Sequence, residues 1–503
     1  MEKISTEDIA NLNTVWELPK NKKPIVIIGA GMAGILAAIR LLENNYKNFT
    51  LYEKADQVGG TWRDNSYPGL TCDVPSHHYT YSFERNPAWS RHYSPGPEIK
   101  EYFQNVFKKY NLQEYTKFGA EVKSMDFISN QWHLGFADDF NDTADVVIGA
   151  TGVLHHPKMP DIAGVDSFQG HIFHSSKWQH ELELENLNVG VIGNGSSGVQ
   201  IVGALGGECK SLFHFQRTAQ WMMPLENGIF SSEEQVAFQD PKIMNEAMQF
   251  DEYFDAVNRY SQALLDMESD GAKEMANICK DNLIENVKDV ELRKKLTPDH
   301  RPLCKRLVWS SDYYPAIQHP KSELVVESIS EIVRDGIVLA NSRKIELDVI
   351  VLATGFKVDS FLRPINVKGL DAIKLNDYWS PTPKAYLSIS LPKFPNLFLL
   401  NGPNGPVGNF SLIDIAEHQM NYILQLISFI NENKINHIEP KHNITEEYEA
   451  KRAEAAKKTV WYQGGCNSWY LNDEGIPASW PWTYKDFVEA MKEPKLENFS
   501  FKS

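Results

Sequence analysis

One local pattern occurs twice in the chain and restricts its fold more than any other feature. A short apolar segment, Pro24–Ile28, runs into the glycine loop Gly29–Gly34, and a helical pattern follows. The segment Val189–Ile192 runs in the same way into Gly193–Gly198 and a second helix. Both loops have the spacing GxGxxG, which after a strand and before a helix is typical of dinucleotide-binding folds. The repeat predicts two nucleotide-binding domains in one chain.

A second repeat indicates how these two domains are arranged. The sequence DVVIGATG at 145–152 is echoed by DVIVLATG at 348–355, and each predicts a buried strand that ends in a glycine turn. The two segments stand before and after the second glycine loop. We therefore predict an α/β fold of two Rossmann-like dinucleotide-binding domains, the second inserted in the first and carrying a helical insertion.

This prediction divides the chain into five segments. Residues 24–154 and 346–503 would form the first domain, and residues 155–230 and 301–345 would form the second. Residues 231–300 contain a stretch rich in Glu, Lys, Ala, Met and Leu, which predicts helices that cap the second domain.

The composition excludes several kinds of partner. The 503 residues carry a formal charge of -16, which repels nucleic acid and anionic lipid surfaces, so a small molecule is the expected partner. No apolar run has the length of a membrane span, and Met1–Lys23 is polar and unlike a signal peptide. The five cysteines are scattered without a CxxC pair, so we expect reduced thiols, a cytoplasmic location and no metal site.

The residue at the end of the second strand in each unit indicates which nucleotide binds there. The strand Phe49–Tyr52 ends at Glu53, and the strand Leu212–Gln216 ends at Arg217, at the same offset from the third glycine. A carboxylate accepts hydrogen bonds from ribose hydroxyls and repels a 2′-phosphate, whereas a guanidinium pairs with that phosphate. The first site is therefore predicted to bind FAD and the second NADPH, with Thr218 adding a hydroxyl.

The segment 168–178 between the two loops reads FQGHIFHSSKW and fits the pattern FxGxxxHxxxW. It resembles the fingerprint of the flavin-dependent Baeyer–Villiger monooxygenases, which use FAD and NADPH on one chain. The resemblance covers nearly all of the chain and extends to several further motifs. These are Gly59–Trp62, Tyr67–Gly69, Cys72–Asp73, Gln216–Thr218, Lys305–Arg306 and Ala353–Phe356.

One position departs from the family pattern. The family usually has Pro or Asp after the fingerprint tryptophan, and Gln179 stands there in this chain. Related N- and S-oxidising flavin monooxygenases tend to have Phe or Tyr where this chain has Trp178, so Trp178 favours the Baeyer–Villiger branch while Gln179 leaves the subclass open. The resemblance gives His174 a structural role in an interdomain linker.

The resemblance also implies a reaction. NADPH would reduce FAD, oxygen would add at the flavin C4a carbon as a peroxide, and that peroxide would attack a ketone to give an ester or lactone. Arg306 would be the catalytic cation that stabilises the C4a-peroxyflavin, because arginine keeps its charge near neutral pH. Asp73 would orient Arg306, and Lys305 would join Arg217 at the NADPH 2′-phosphate.

Further site residues follow from the loops and from the resemblance. Those predicted to bind FAD are Gly29, Gly31, Gly34, Glu53, Thr61, Trp62, Asp73, Tyr79 and Val122. Those predicted to bind NADPH are Gly193, Gly195, Ser196, Ser197, Gly198, Arg217, Thr218, Lys305 and Trp469. Those predicted to line the substrate pocket are Asn409, Phe410, Ser411 and Leu412.

Two alternatives stay open at this point. An N- or S-oxidising flavin monooxygenase would share the nucleotide motifs without needing Asp73 and Arg306. A flavoprotein that senses NADPH with little turnover would also share the nucleotide motifs. NADPH consumption that rises when a ketone is added would identify an enzyme and exclude such a sensor. The sequence does not indicate which ketone is oxidised or the oligomeric state.

Overall fold

Two sheets, parallel except for the antiparallel edge strand Ser390–Leu391, organise the chain in a computed structural model that describes residues 23–248, 250–408 and 410–503. The strands of the first sheet are, in spatial order, Ser390–Leu391, Phe394–Leu399, Val146–Gly149, Ile25–Ile28, Phe49–Tyr52 and Thr116–Lys117. The strands of the second sheet are Ser322–Val325, Ser211–Phe215, Asn188–Ile192, Val349–Leu352 and His171–His174.

The first sheet contains the first glycine loop. Its strand Ile25–Ile28 is fully buried and lies parallel to Phe49–Tyr52 on one side and Val146–Gly149 on the other. Strands buried on both faces are continuous apolar runs, which is why the sequence predicted this one. The helix Met32–Glu43 follows the loop and buries Ile35, Leu36 and seven further residues against the first core.

The second sheet repeats this arrangement around Asn188–Ile192, which lies between Ser211–Phe215 and Val349–Leu352. The helix Ser196–Leu205 follows its glycine loop. The chain then returns to the first sheet with Phe394–Leu399, which pairs with Val146–Gly149. The predicted fold class, two Rossmann-like domains with the second inserted in the first, is confirmed.

The boundary predicted at residue 346 is too early. The strand Val349–Leu352 pairs with Asn188–Ile192 and His171–His174, so it belongs to the second sheet. Each of the two repeated segments thus lies beside its own glycine-loop strand, because each domain builds the same central strand pair. The rest of the division into segments stays a prediction.

In the described residues of the predicted helical insertion, 231–248 and 250–300, there are five helices, namely Ser232–Ala237, Pro241–Met248, Phe250–Leu265, Asp270–Asn286 and Val290–Leu296. They pack against more than the second domain. Phe238 and Met248 join the core of the first domain, and Leu283 and Leu296 join the core of the second. The insertion therefore bridges the two domains and is not only a cap on one of them.

The remaining elements surround the two sheets. The other strands are Val122–Ile128, Gln131–Phe136, Asn141–Ala144, Met222–Met223, Val308–Trp309, Ile329–Val333, Gly336–Leu339, Lys344–Glu346, Asn366–Lys368, His437–Pro440 and Phe499–Lys502. The other helices are Thr61–Asp64, Gly96–Lys109, Tyr313–Ile317, Leu375–Tyr378, Leu412–Glu432, His442–Ala456, Val460–Gln463 and Tyr484–Lys492.

None of the helices in the described residues combines the length and the apolar character that crossing a bilayer requires. The N-terminal segment that the sequence analysis compared with a signal peptide lies, up to residue 22, outside the described residues.

The cysteines differ from the expectation of reduced thiols. Cys304 and Cys466 form a disulfide across 162 residues of sequence, while Cys72, Cys209 and Cys279 are free and buried. The expectation was wrong for this pair because spacing along the chain does not show which distant cysteines the fold brings together.

Candidate active site between two nucleotide loops

The two glycine loops share the close packing that a nucleotide cradle needs. A Cβ atom on Gly34 would stand 1.8 Å from the carbonyl oxygen of Gly29, and one on Gly198 would stand 1.9 Å from that of Gly193. Only glycine fits at either position, so each helix begins directly against its strand. The positions Gly31 and Gly195 begin these helices without a side-chain cap, which leaves first-turn N–H groups available to a phosphate.

Glu53 is buried at the end of its strand and is held by three donors. Its Oε2 atom accepts the Ala30 N–H at 2.8 Å, and its Oε1 atom accepts the Ala55 N–H at 2.9 Å and lies 3.1 Å from Arg63. Burial lowers the pKa of Arg63, but its hydrogen bond to Asp64 and the charges of Glu53 and Asp64 raise it above the ordinary value overall. The sequence analysis missed Arg63, although it directly follows the Gly59–Trp62 motif.

Two of the predicted FAD-binding residues, Trp62 and Tyr79, contact each other. The Trp62 Nε1–H donates to the Tyr79 hydroxyl at 3.0 Å, and the two rings meet edge to face at 5.5 Å. Thr61 is exposed at the start of the same short helix. Val122 is buried near the strand end of Glu53, since the Ala120 N–H donates to the Glu53 carbonyl at 2.9 Å.

The second glycine loop contacts the first domain directly. The Ser197 hydroxyl donates to the Tyr67 hydroxyl at 2.9 Å, and Tyr67 in turn donates to Gln200 at 3.0 Å. A Cβ on Gly69 would stand 2.6 Å from the Gln200 carbonyl oxygen, so the two backbones touch there. Ser196 begins the helix beside Ser197 and is half-buried.

The residues predicted for the 2′-phosphate form a cluster of positive charge. Lys305 Nζ donates to the Thr218 hydroxyl at 2.9 Å. Burial and the neighbouring charge of Arg217 lower the pKa of Lys305, whereas Asp299 raises it, and the shift is downward overall. Arg217 and Thr218 are exposed. The Asn194 side chain, which the sequence analysis missed, ties the glycine loop to the Thr218 carbonyl.

Arg306 and Asp73 meet although they are far apart in the chain. The Arg306 Nη2 and Nε atoms donate to Asp73 Oδ2 at 2.5 and 3.2 Å. The Asp73 carboxylate raises the pKa of Arg306 well above its ordinary value, against the lowering effect of burial. The guanidinium therefore stays charged and is held in one orientation.

Four tyrosines surround this pair, and the sequence analysis missed them as site residues. They are Tyr93, Tyr253, Tyr260 and Tyr470. Burial raises the pKa of each, and the charge of Asp73 acts on all four. Tyr253 and Tyr260 both lie on the helix Phe250–Leu265, seven residues apart, which places them on one helical face. That spacing was a signal from which this pair could have been found.

The predicted substrate loop leads into the long helix Leu412–Glu432. Phe410 is buried and meets the ring of Tyr484 at 4.7 Å, and Leu412 packs against the first core. Ser411 is buried, and its hydroxyl has no hydrogen-bond partner within the described residues. Asn409 lies outside the described residues.

Three other residues singled out from the sequence have clear positions. Trp469 is 45% exposed and stacks on Tyr470 at 4.1 Å. His174 is buried and bonds to the Gly355 carbonyl at 2.9 Å, so it joins the ends of two adjacent strands. Gln179 lies within hydrogen-bond distance of the His171 ring, 3.2 Å away at the surface.

Across the described residues, no group of three His, Cys, Asp or Glu side chains could hold a metal ion.

Two glycine loops, each between a strand and a helix, define the class as a protein with two dinucleotide-binding domains. The family model of flavin-binding monooxygenase-like proteins matches residues 22–229. An uncharacterised monooxygenase of Mycobacterium bovis is 42% identical over 91% of this chain and 92% of its own length. A Baeyer–Villiger monooxygenase of Streptomyces coelicolor is 35% identical over 94% of this chain and 92% of its own length.

Among solved structures, cyclohexanone monooxygenase from Rhodococcus sp. Phi1 bound to NADP+ superimposes with a TM-score of 0.84 and 28% identity. The match covers 96% of this chain and 100% of that one. The chain belongs to the Baeyer–Villiger monooxygenase family of FAD- and NADPH-dependent enzymes.

Proposed function

We propose that this enzyme uses NADPH and molecular oxygen to insert one oxygen atom beside a ketone carbonyl, giving an ester or lactone. The observation that carries the proposal is the pair of Arg306 and Asp73, whose two hydrogen bonds fix a permanent cation. Family membership supports a small ketone as the substrate class.

The residues around the first loop fit FAD. Two backbone N–H groups and Arg63 hold the Glu53 carboxylate in place. The orientation of its remaining lone pairs is therefore fixed. A carboxylate fixed in this way suits the two ribose hydroxyls of an adenosine. The uncapped start of the helix Met32–Glu43 suits the pyrophosphate. When bound, the flavin supplies hydride acceptance and the activation of oxygen.

The residues around the second loop fit NADPH. Arg217, Lys305 and Thr218 offer two cations and a hydroxyl in one place, and the charge of Arg217 helps to lower the pKa of Lys305. Cations held this close repel each other unless an anion lies between them, and a 2′-phosphate is such an anion. This cluster is what would distinguish NADPH from NADH.

Arg306 would act on the oxygen chemistry through charge. A fixed guanidinium stabilises negative charge that develops on oxygen in the transition state, and it does so most effectively where protein excludes water. Arg306 is half-buried, and its two hydrogen bonds to Asp73 hold it from one side. Asp73 would thus be a positioning residue and Arg306 the catalytic one.

Aromatic side chains would receive the ketone. Phe410 packs on Tyr484, and Phe254 lies 5.8 Å from the same ring, so three aromatic rings are clustered beside the predicted substrate loop. Among the described residues of the substrate loop, Ser411 has the one polar side chain, and its buried hydroxyl lacks a partner within the described chain. We propose that Phe410, Ser411 and Leu412 line the pocket, together with Asn409.

Product analysis tests the proposed reaction. Purified enzyme is supplied with NADPH, oxygen and a panel of cyclic, linear, aromatic and steroid ketones, with a sulfide and an amine as competing substrates. Ester or lactone formation from at least one ketone is the expected result. Exclusive oxidation of the sulfide or the amine would assign the N- or S-oxidising alternative, and NADPH consumption that no substrate increases would assign the sensing alternative. The cytoplasmic location predicted from the sequence stays a prediction.

A further inference from the structure

The Cys304–Cys466 disulfide joins two parts of the proposed site. Cys304 directly precedes Lys305 and Arg306, which are assigned to the NADPH phosphate and to the oxygen chemistry. Cys466 precedes Trp469 and Tyr470, and the two cysteine Cα atoms lie 6.0 Å apart across 162 residues of sequence. A single covalent bond therefore connects the Lys305–Arg306 turn with the segment 464–470.

The segment 464–470 packs closely against the Lys305–Arg306 turn at the disulfide. A Cβ on Gly464 would stand 2.7 Å from both Cβ and Sγ of Cys304, so Gly464 packs directly on the Cys304 side chain. The Arg301 N–H donates to the Gly464 carbonyl at 3.2 Å, and the Cys466 N–H donates to Cys304 Sγ at 3.2 Å. These two hydrogen bonds and the covalent bond together attach this end of the segment to the turn.

The far end of the segment reaches the catalytic cation. The Tyr470 ring is buried between Trp461 at 5.0 Å and Trp469 at 4.1 Å, and its backbone carbonyl accepts the Ala478 N–H at 2.7 Å. The Tyr470 hydroxyl lies against Arg306, whose charge and hydrogen bond oppose the effect of burial on the pKa of the phenol. Three residues of the segment, Gly465, Asn467 and Trp469, are exposed.

We propose that the Cys304–Cys466 disulfide is a redox-controlled tether that holds the segment 464–470 over the NADPH side of the site. Reduction would free the segment, weaken nicotinamide nucleotide binding and let oxygen leave as hydrogen peroxide instead of entering the product. The last of these effects rests on the proposed function, whereas the binding effect does not. A tether raises the effective concentration of a segment at its site, so breaking it lowers the fraction of molecules that bind well.

The accessible sulfur for this reaction is that of Cys466. Cys304 is fully buried, whereas Cys466 is half-buried between two exposed residues. A dithiol reductant would attack the Cys466 sulfur, the S–S bond would break, and the Cys304 sulfur would leave and take a proton. The second thiol of the reductant would then displace Cys466. Two electrons and two protons pass to the enzyme, which gains two thiols, and the reductant becomes a disulfide.

Thiol counting tests whether the bond forms. Holoenzyme purified without reductant is mildly oxidised, denatured and titrated with a thiol reagent. We expect three thiols per chain, and five after treatment with dithiothreitol, because three cysteines are free and two are bonded. Five thiols in the oxidised sample would overturn the proposal.

Binding of NADP+ tests what the bond does. The holoenzyme is titrated with NADP+ and the change in flavin absorbance gives Kd, with and without dithiothreitol. We expect reduction to raise Kd about threefold to tenfold in the unaltered enzyme. Cys466→Ala should have the raised Kd from the start and show no response to dithiothreitol. The control Cys209→Ala, which removes a buried free cysteine of the second domain, should respond like the unaltered enzyme.

The outcomes separate the tether from the reaction. Equal Kd values for NADP+ with and without reductant would overturn the proposal of a tether. If Cys466→Ala loses its FAD, the comparison can be made with the unaltered enzyme alone. A reductant-dependent Kd in an enzyme that oxidises no ketone would leave the tether in place and reject the proposed reaction. Where ester forms, catalase-sensitive hydrogen peroxide should account for a larger share of the NADPH consumed after reduction.

Discussion

Arg306 directs two of its nitrogen atoms, Nη2 and Nε, at the same Asp73 oxygen, at 2.5 and 3.2 Å. The other oxygen of the carboxylate and the Nη1 end of the guanidinium are not used by this pair. A side-on attachment of this kind fixes the plane of the guanidinium, and the Tyr470 side chain also hydrogen-bonds to Arg306.

Replacing Arg306 with Ala should reduce ester formation by at least about a hundredfold, because the charge proposed to stabilise the transition state is lost. FAD content and NADP+ affinity should stay close to those of the unaltered enzyme. Product is measured by gas chromatography and FAD by absorbance. The matched control is Arg301→Ala, an exposed arginine of the same turn that pairs only with Glu268 among described side chains. Ester formation that survives Arg306→Ala would reject the assigned role.

Replacing Arg217 with Ala should narrow the preference for NADPH over NADH by about 1–2 kcal/mol, the size of one charge-assisted contact to the 2′-phosphate. The measurement is the ratio of kcat/KM values for the two nucleotides. Lys210→Ala serves as the control, since Lys210 is exposed at the opposite end of the same strand region. An unchanged preference would assign the phosphate contact to Lys305 alone.

Replacing Glu53 with Gln should weaken FAD binding, because the amide loses the negative charge that Arg63 and two N–H groups hold in place. A loss of about 1–3 kcal/mol is expected for a hydrogen-bonded charge. The flavin-to-protein absorbance ratio after dilution and gel filtration measures it. Glu114→Gln, at an exposed position of the first domain, should keep the ratio of the unaltered enzyme. Equal flavin-to-protein ratios for Glu53→Gln and Glu114→Gln would contradict a role of Glu53 in binding FAD.

Glu417 should make stability depend on pH. Burial raises its pKa to about 7, against the opposing effects of Arg40 and of the Ser82 N–H. Between the ordinary value of 4.5 and about 7, the folded protein keeps a proton that the unfolded chain has released, so the free energy of unfolding falls as pH rises through this window.

Glu417→Gln keeps the acceptor for the Ser82 N–H at 2.8 Å and cannot ionise. It should raise the midpoint of thermal unfolding at about pH 8, by an amount corresponding to about 3 kcal/mol, and change it little near pH 5. Calorimetry at both pH values measures the difference. The exposed Glu454→Gln should change neither midpoint. A stabilisation of equal size at both pH values would exclude Glu417 as the titrating group.

The sequence allowed the nucleotide loops to be predicted because their function depends on local geometry. A glycine spacing, a strand before it and a helix after it all lie within one short stretch, and the structure forms each helix within a few residues of the predicted bounds. The placement of Glu53 and Arg217 could be predicted for the same reason. The pairing of Asp73 with Arg306 came from the family resemblance, since the two are distant in sequence.

What could not be predicted depends on contacts between distant segments. No spacing rule relates Cys304 to Cys466, and the position of Val349–Leu352 in the second sheet follows from parallel strand pairing that the sequence does not encode locally. Tyr253 and Tyr260 reach the site only because the helical insertion bridges both domains. Their helical spacing shows that they share a face, but not what that face contacts.

The contact between Gly69 and Gln200 restricts how this enzyme could be recombined with its relatives. The 67–71 turn belongs to the first domain by chain order, but Tyr67 and Gly69 are shaped against the helix Ser196–Leu205 of the second. In a chimaera that takes its NADPH-binding half from another parent, the turn and the helix would come from different sources. A cut made at the linkers alone would therefore separate two surfaces that fit each other, so the 67–71 turn should be inherited together with the second nucleotide domain.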